Sequence, residues 1–193
     1  MEQPSSERRQ LDPAKTRASI MRAAFKQFAE KGYKGASIAA IAKAAKVRKS
    51  LIQYHFGTKE QLWDACLSAR VAPIVAAIDQ LLERGDRDPG EIVQMRYKLI
   101  RDNPDVRRLI AWASLSGVPA PRFLLERRDR LIGSMGGGVK DPRFVRLLFA
   151  LAASDGFLHF RNLYRAVAGD AVFSDEVEEE FLEILAEVTA KIE

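Results

Sequence analysis

The chain has 193 residues, 47% apolar and 30% charged, which suits one large core or a small module beside a larger one and excludes a disordered tail or a fibre. Cys66 is the single cysteine, so neither an intramolecular disulfide nor a shared cysteine metal site is available. The net charge of +5 is unevenly spread: thirteen Lys and Arg stand against five Asp and Glu up to Leu62, and eighteen against twenty-one beyond it, which points to a polyanion partner for the first third or to a solvated basic face.

Residues 1–12 are polar and aperiodic and read as a flexible basic arm, in which Arg8 and Arg9 are either solvated tail charge or minor-groove contacts. The first twenty residues lack the apolar core of a secretory signal, and no apolar run reads as long enough to span a bilayer, so a cytoplasmic chain without a membrane partner is expected. Asp12-Pro13 supplies a cap and a proline at a first helical position, predicting a helix to about Lys31 with Ile20, Ala24, Phe25 and Phe28 on one stripe and Gly32 as the left-handed cap. Ser37 is placed to cap a second short helix through Ile38, Ile41 and Ala42 to Ala44. After Lys46-Val47 a third helix, from Arg48 to about His55, buries Leu51 and Ile52 and turns Arg48, Lys49, Gln53 and His55 outward. Gly57 ends it and Thr58 caps a fourth.

Beyond Lys59, breaks at Gly85, Asp88-Pro89, Asn103-Pro104, Val118-Pro119, Gly136-Gly137-Gly138, Asp141-Pro142 and Gly169 delimit about five further helices. No stretch alternates apolar and polar residues between hairpin turns, so the fold class is all-α. Phe144 to Leu163 is apolar on nearly every side and is expected to bury two faces. The last helix, capped by Ser174, carries Asp175, Glu176, Glu178, Glu179 and Glu180 at its positive end and a stripe of Val177, Phe181, Ile184, Leu185, Val188 and Ile192. The helices around 143–165 and 174–192 suit a self-complementary homodimer bundle or the interior of a monomer.

The informative stretch is SIAAIAKAAKVRKSLIQYHFGTKEQLW, two short helices and a tight turn leading into a longer helix. A helix fits the major groove, where Arg or Lys reads guanine and Gln reads adenine, so Arg48, Lys49 and Gln53 are the base-reading candidates. Tyr54, His55, Lys59 and Ser37 suit phosphate contacts, which set register. From Thr16 to Trp63, through AAFKQFAEKGY, IAKAAKV and YHFGTKEQL, the chain resembles the tetracycline-repressor (TetR) family of helix-turn-helix regulators. The resemblance implies that Phe28, Ile41, Ala42, Val47, Ile52, Phe56 and Leu62 form the core fixing the second and third helices, and that Arg48, Lys49, Ser50, Tyr54 and His55 lie on the recognition helix. Lys59 falls where members commonly contact a phosphate. Two positions depart from the family: Lys46 stands where the turn usually has glycine, which costs about 1 kcal/mol or adds a phosphate contact, and Gln53 stands where a tyrosine is frequent.

The resemblance also implies an N-terminal three-helix DNA-binding domain, 13–58, and a larger helical dimerisation and ligand-binding domain, 59–193. The expected function is repression from a palindromic operator in double-stranded DNA, bound by a homodimer and released by a small-molecule effector. A DNA-binding regulator without such control is the alternative. Pocket candidates are Tyr97, Trp112, Phe123, His159 and Asn162, although such a residue on an apolar helix is more often a satisfied core residue. Arg122, Arg127, Arg128 and Arg130 form a basic patch that faces water, pairs with the acidic last helix or receives an anion. No cofactor is implied, and His159, with only Asp155 at helical spacing, does not suggest a metal. A helical enzyme finds little support: the Gly133-to-Gly138 run beside Lys140 joins two helices and does not follow a strand, and His55 and His159 have no nucleophile motif beside them.

Overall fold

A computed structural model describes residues 12–84, 89–118, 124–126 and 140–190. The expectations placed on Arg8, Arg9, Arg122, Phe123, Arg127, Arg128, Arg130 and the Gly133-to-Gly138 run lie outside the described residues. Among the described residues the structure is helical without strands. The elements are α1 (Pro13–Gly35), α2 (Ile38–Ala45), α3 (Lys49–Phe56), α4 (Lys59–Arg84), α5 (Pro89–Arg101), α6 (Pro104–Leu115), α7 (Pro142–His159), α8 (Arg161–Ala168), a 3₁₀ turn (Asp170–Phe173) and α9 (Asp175–Ala190). The chain divides into two compact units between Cys66 and Leu67.

In the N-terminal unit each short helix is fixed by its ends. Asp12 caps α1, its carboxylate accepting from the Ala14 amide at 2.9 Å. At Gly32 the backbone leaves the helix (φ 68°, ψ 177°) before a last turn to Gly35. The sequence pattern placed a left-handed cap there; the observed angles have positive φ but an extended ψ, which glycine tolerates without strain. Ser37 Oγ accepts from the Ala40 amide at 3.1 Å and starts α2. Lys46 closes α2 at φ 57°, ψ 41°, while the Val47 amide donates to the Ala42 carbonyl at 3.0 Å and the Lys46 amide to Lys43 at 3.2 Å. This is a Schellman-type turn with lysine in the left-handed position. Thr58 and Gln61 form a reciprocal capping box: Thr58 Oγ1 accepts from the Gln61 amide at 3.2 Å, and Gln61 Oε1 accepts from the Thr58 amide at 2.8 Å.

These caps aim the apolar residues inward. Ile20, Ala24 and Phe28 of α1, Ile41 and Ala42 of α2, Ile52 and Phe56 of α3, and Leu62, Trp63 and Cys66 of α4 are buried. Phe28 meets the Trp63 ring edge-on at 4.9 Å, and Tyr33 meets the same ring at 5.7 Å. Val47 and Leu51 are half-buried, so α3 is held chiefly by Ile52 and Phe56.

The C-terminal unit has its own core of Val93, Tyr97 and Ile100 (α5), Ala150 and Leu158 (α7), and Leu182 and Leu185 (α9), flanked by Phe157 and Phe181. Phe157 and Phe181 stack at 4.3 Å. Polar ties fasten the same helices: Arg96 donates to Ser154 Oγ at 3.0 Å and to both Asp155 carboxylate oxygens, and Gln94 donates to the Leu182 carbonyl at 2.8 Å. Arg101 pairs with Asp102 and Glu178, which together hold its guanidinium protonated.

Three sequence expectations are corrected. The apolar run from Phe144 to Leu163, expected as one helix, breaks at Phe160 (φ −93°, ψ 21°) into α7 and α8. No proline or glycine marks that break; it goes with the packing of Phe173 against Phe157 at 5.4 Å and beneath the Arg161 guanidinium at 3.9 Å, contacts distant in sequence. On α9 the packed stripe is Phe181, Leu182, Leu185 and Thr189, because α5 and α7 meet that side, and Val177 and Ile184 are exposed. Lys59–Gln80 contains an 18-residue window of mean hydropathy 1.2, long and apolar enough to cross a membrane by length and composition, contrary to the expectation; 33% of that window is buried within the protein.

Two stability predictions follow from this geometry. Lys46→Gly relieves the left-handed strain and raises stability in chemical denaturation by about 0.5–1 kcal/mol; a loss would mean that the lysine side chain holds the turn. Burial and then Glu178 push the Tyr97 phenol up to about 12, so the folded chain keeps a proton that the unfolded chain releases near pH 10. Stability is therefore full below pH 10 and falls between pH 10 and 12, and Tyr97→Phe should flatten that alkaline slope in a pH series of unfolding free energies.

Candidate nucleic-acid interface

Burying Ile52 and Phe56 on one side of an eight-residue helix leaves the opposite side of α3 to water. Arg48, Lys49, Ser50, Gln53 and Tyr54 are exposed, Tyr54 to 82%, and His55 is half-buried between the Tyr54 and Phe56 rings. Arg48 occupies the cap position in extended conformation and leads its side chain in ahead of the first turn. At 1.5 Å per residue α3 is about 12 Å long, commensurate with the width of a B-DNA major groove.

The surroundings suit a phosphate backbone. Asp12 caps α1, but α2 and α3 have no acidic residue at the cap or in the first turn, so the positive ends of these two helices are not neutralised from within. Ser37 accepts one amide through its oxygen and keeps its hydroxyl proton to donate. Lys46 projects exposed from the α2–α3 turn. Lys59, half-buried, sets its ammonium 4.6 Å from the Tyr33 ring centre, and burial lowers its pKa from the ordinary lysine value. Ser37, Lys46, Arg48, Lys49, Ser50, Gln53, Tyr54, His55 and Lys59 thus all belong to one compact unit, at the start of α2, in the α2–α3 turn, on α3 and at the start of α4.

Sequence reasoning missed two contributors. Arg17 of α1 donates to the His55 carbonyl at 2.8 Å and lies 4.3 Å from the Phe56 ring centre, tying α1 to the negative end of α3. Gln61 completes the capping box, and a Cβ added at Gly57 (φ 75°) would fall 2.0 Å from its Oε1. With Gln53, Tyr54, His55, Phe56, Gly57 and Ala65 these two line an open depression of about 370 Å³. The spacing T-x-x-Q at 58–61 carries the Gln61 signal; nothing local marks Arg17, whose partners are far along the chain.

The pocket candidates of the C-terminal unit are dispersed over several roles. Tyr97 is fully buried in the core, Trp112 is 38% exposed on α6, and Asn162 is exposed on α8. His159 places Nδ1 2.7 Å from the Asp155 carbonyl oxygen and Nε2 3.1 Å from that of Arg107. Both are acceptors, so the ring donates to one when neutral and to both when protonated, and it joins α7 to α6.

Comparison with known proteins agrees with the geometry. Residues 20–66 match the model of the tetR family of bacterial regulatory proteins. Over 184 residues the chain is 29% identical to an HTH-type transcriptional repressor of Mycobacterium tuberculosis, covering 90% of each, and over 177 residues it is 27% identical to the HTH-type transcriptional regulator RutR of Escherichia coli, covering 82% of this chain and 81% of that one. The fold is similar to that of a transcriptional regulator from Rhodococcus (TM-score 0.63, 22% identity, covering 91% and 96% of the two chains) and of a TetR-family regulator from Agrobacterium tumefaciens (TM-score 0.61, 20% identity, covering 90% and 98%). Family match, relatives along most of the chain and the exposed face of α3 agree: residues 20–66 carry the helix-turn-helix of the tetR family of bacterial regulatory proteins, and along most of its length the chain is similar to helix-turn-helix transcriptional regulators.

Proposed function

We propose that the protein is a repressor that binds a palindromic operator as a homodimer in the cytosol and is released by a small-molecule effector held in its C-terminal unit. The observation that carries this reading is the outward face of α3, where Arg48, Lys49, Ser50, Gln53 and Tyr54 stand exposed on a short helix without an acidic residue. Arg48 and Lys49 read guanine edges and Gln53 an adenine edge. Ser37, Lys46, Ser50, Tyr54, His55 and Lys59 hold phosphates and set the register of the helix. The repressor naming of the Mycobacterium tuberculosis relative supports the direction of control.

The dimer is supported by apolar faces that the C-terminal unit does not cover. On α7, Val145, Leu148 and Phe149 are 56%, 49% and 59% exposed at helical spacing, and on α9 Val177 and Ile184 are 39% and 49% exposed, one heptad apart. Two such stripes joined to their symmetry mates make a four-helix contact closed by a two-fold axis, and a two-fold protein meets a palindromic site. An effector acts by favouring a dimer whose recognition helices are wrongly spaced for successive major grooves; a coupling of about 1–3 kcal/mol changes affinity roughly 5- to 150-fold.

Selection from a randomised duplex pool, followed by titration of the preferred and an unrelated duplex, tests the division of roles. Arg48→Ala and Lys49→Ala should weaken the preferred duplex by roughly 5- to 150-fold and narrow its advantage, whereas Lys59→Ala should weaken both duplexes alike and reduce the salt slope by about one. Equal behaviour of all three variants contradicts the assignment. In sedimentation equilibrium Phe149→Glu, which buries a charge in the proposed contact, should shift the dimer toward monomer by about 100-fold or more; an unchanged dimer places the interface elsewhere.

A further inference from the structure

The helix α8 buries none of its residues. One side of it is nonetheless fixed to its own unit: the Tyr164 ring stacks on Phe157 at 6.0 Å, the Arg161 guanidinium lies 3.9 Å from the Phe173 ring centre, and Arg165 pairs with Asp170. Phe160, Leu163 and Val167 stand 57%, 59% and 79% exposed, at three- and four-residue steps that put them on one face. A helix of about two turns is unstable in water by itself, and this one gains nothing from its apolar face within the unit.

That face continues the exposed stripe of α7. From Val145 and Phe149 the positions step by three or four residues through the exposed Ala152 and the half-buried Gly156 to Phe160, and past the break to Leu163 and Val167. Its size points to a second copy of the chain. A stable homodimer buries about 1,000 Å² or more per partner, about 65% of it apolar, so each copy needs roughly 650 Å² of apolar surface. The large apolar side chains exposed on α7 and α9 offer roughly 450 Å², which falls short. Phe160, Leu163 and Val167 raise this to roughly 800 Å², more than a monomer usually leaves open. Charge argues against a lipid surface as the occupant: Arg161 and Arg165 are engaged with Phe173 and Asp170, and Asp175, Glu176, Glu179 and Glu180, at the start of the next helix, repel anionic headgroups.

We infer that the contact between two copies runs beyond α7 and α9 onto α8, with Phe160, Leu163 and Val167 packed against the second copy. The inference rests on the reading of the protein as a homodimer, and it names the surface that completes the interface.

Sedimentation equilibrium of the full chain, with the double variant Leu163→Glu, Val167→Glu beside Phe149→Glu, tests it. Leu163 and Val167 are exposed in the single chain, so the double variant should keep the parent's helix content. Its dimer dissociation constant should rise about tenfold or more, because two charges enter an apolar contact. Leu163→Ala with Val167→Ala, which adds no charge, should raise the constant about threefold or more. Hydrogen exchange reads the same surface without substitution: the amides of 161–168 should exchange more slowly well above the parent's dimer constant than well below it. Dimer constants within about twofold of the parent's in both α8 variants, while Phe149→Glu dissociates, would overturn the inference and leave the homodimer reading standing. A parent chain that is monomeric at every concentration removes both. Binding of the parent to phosphatidylserine vesicles that the double variant loses at an unchanged dimer constant also overturns the inference and gives the face to lipid.

Discussion

The N-terminal unit depends on two side chains of one short helix. Ile52 and Phe56 are the buried contacts of α3, and with only eight residues in the helix their burial fixes its rotation. An isolated helix of this length is unstable in water, so α3 exists because α1, α2 and the start of α4 present Phe28, Ile41, Leu62 and Trp63 around it. Arg17 adds a clamp at the far end, bonding the His55 carbonyl and covering Phe56. Once α3 is rotated in this way, Arg48, Lys49, Gln53 and Tyr54 have no route inward. The functional face is a consequence of where the apolar residues go.

Charge and backbone geometry are arranged around that face at a measurable cost. α2 and α3 have no acid at the cap or in the opening turn, although an acid there would stabilise each of them by a few tenths of a kcal/mol, whereas α1 is capped by Asp12. Lysine stands in a left-handed position where glycine would be free of strain. Each departure lowers the stability of the isolated unit, and each fits the phosphate-binding role proposed for this face. In α9 the opposite rule holds: Asp175, Glu176 and Glu178 crowd the first turn, where they satisfy the helix dipole and one of them anchors Arg101.

How much of this was legible in the sequence follows from the range of the forces involved. Capping is local, so Asp12, Ser37, Thr58 and Ser174 announced their helices and the structure places them at helix starts. Helical period is local too, and it gave the buried stripe of α1 and the outward set of α3. The positive φ at Lys46 was readable from the family pattern, since a turn of that length demands it. The division at Phe160 was not readable, because no proline or glycine stands at the break and it goes with contacts to Phe173, distant in sequence. The same limit applies to α9: Val177 and Leu185 look alike in sequence, and only the positions of α5 and α7 decide that Leu185 is buried and Val177 exposed. Arg17 carries no local mark either; its role is set by the His55 carbonyl and the Phe56 ring, which lie far along the chain.

The central claim is that α3 enters a major groove in pairs, one helix from each half of a two-fold dimer. Footprinting on the DNA upstream of the protein's own gene, repeated across a salt series, tests it most directly. The account predicts protection of an inverted repeat whose half-sites lie about one helical turn or a multiple apart, with affinity falling steeply as salt rises. Weak protection spread evenly over every duplex, or a single unpaired half-site, would contradict it.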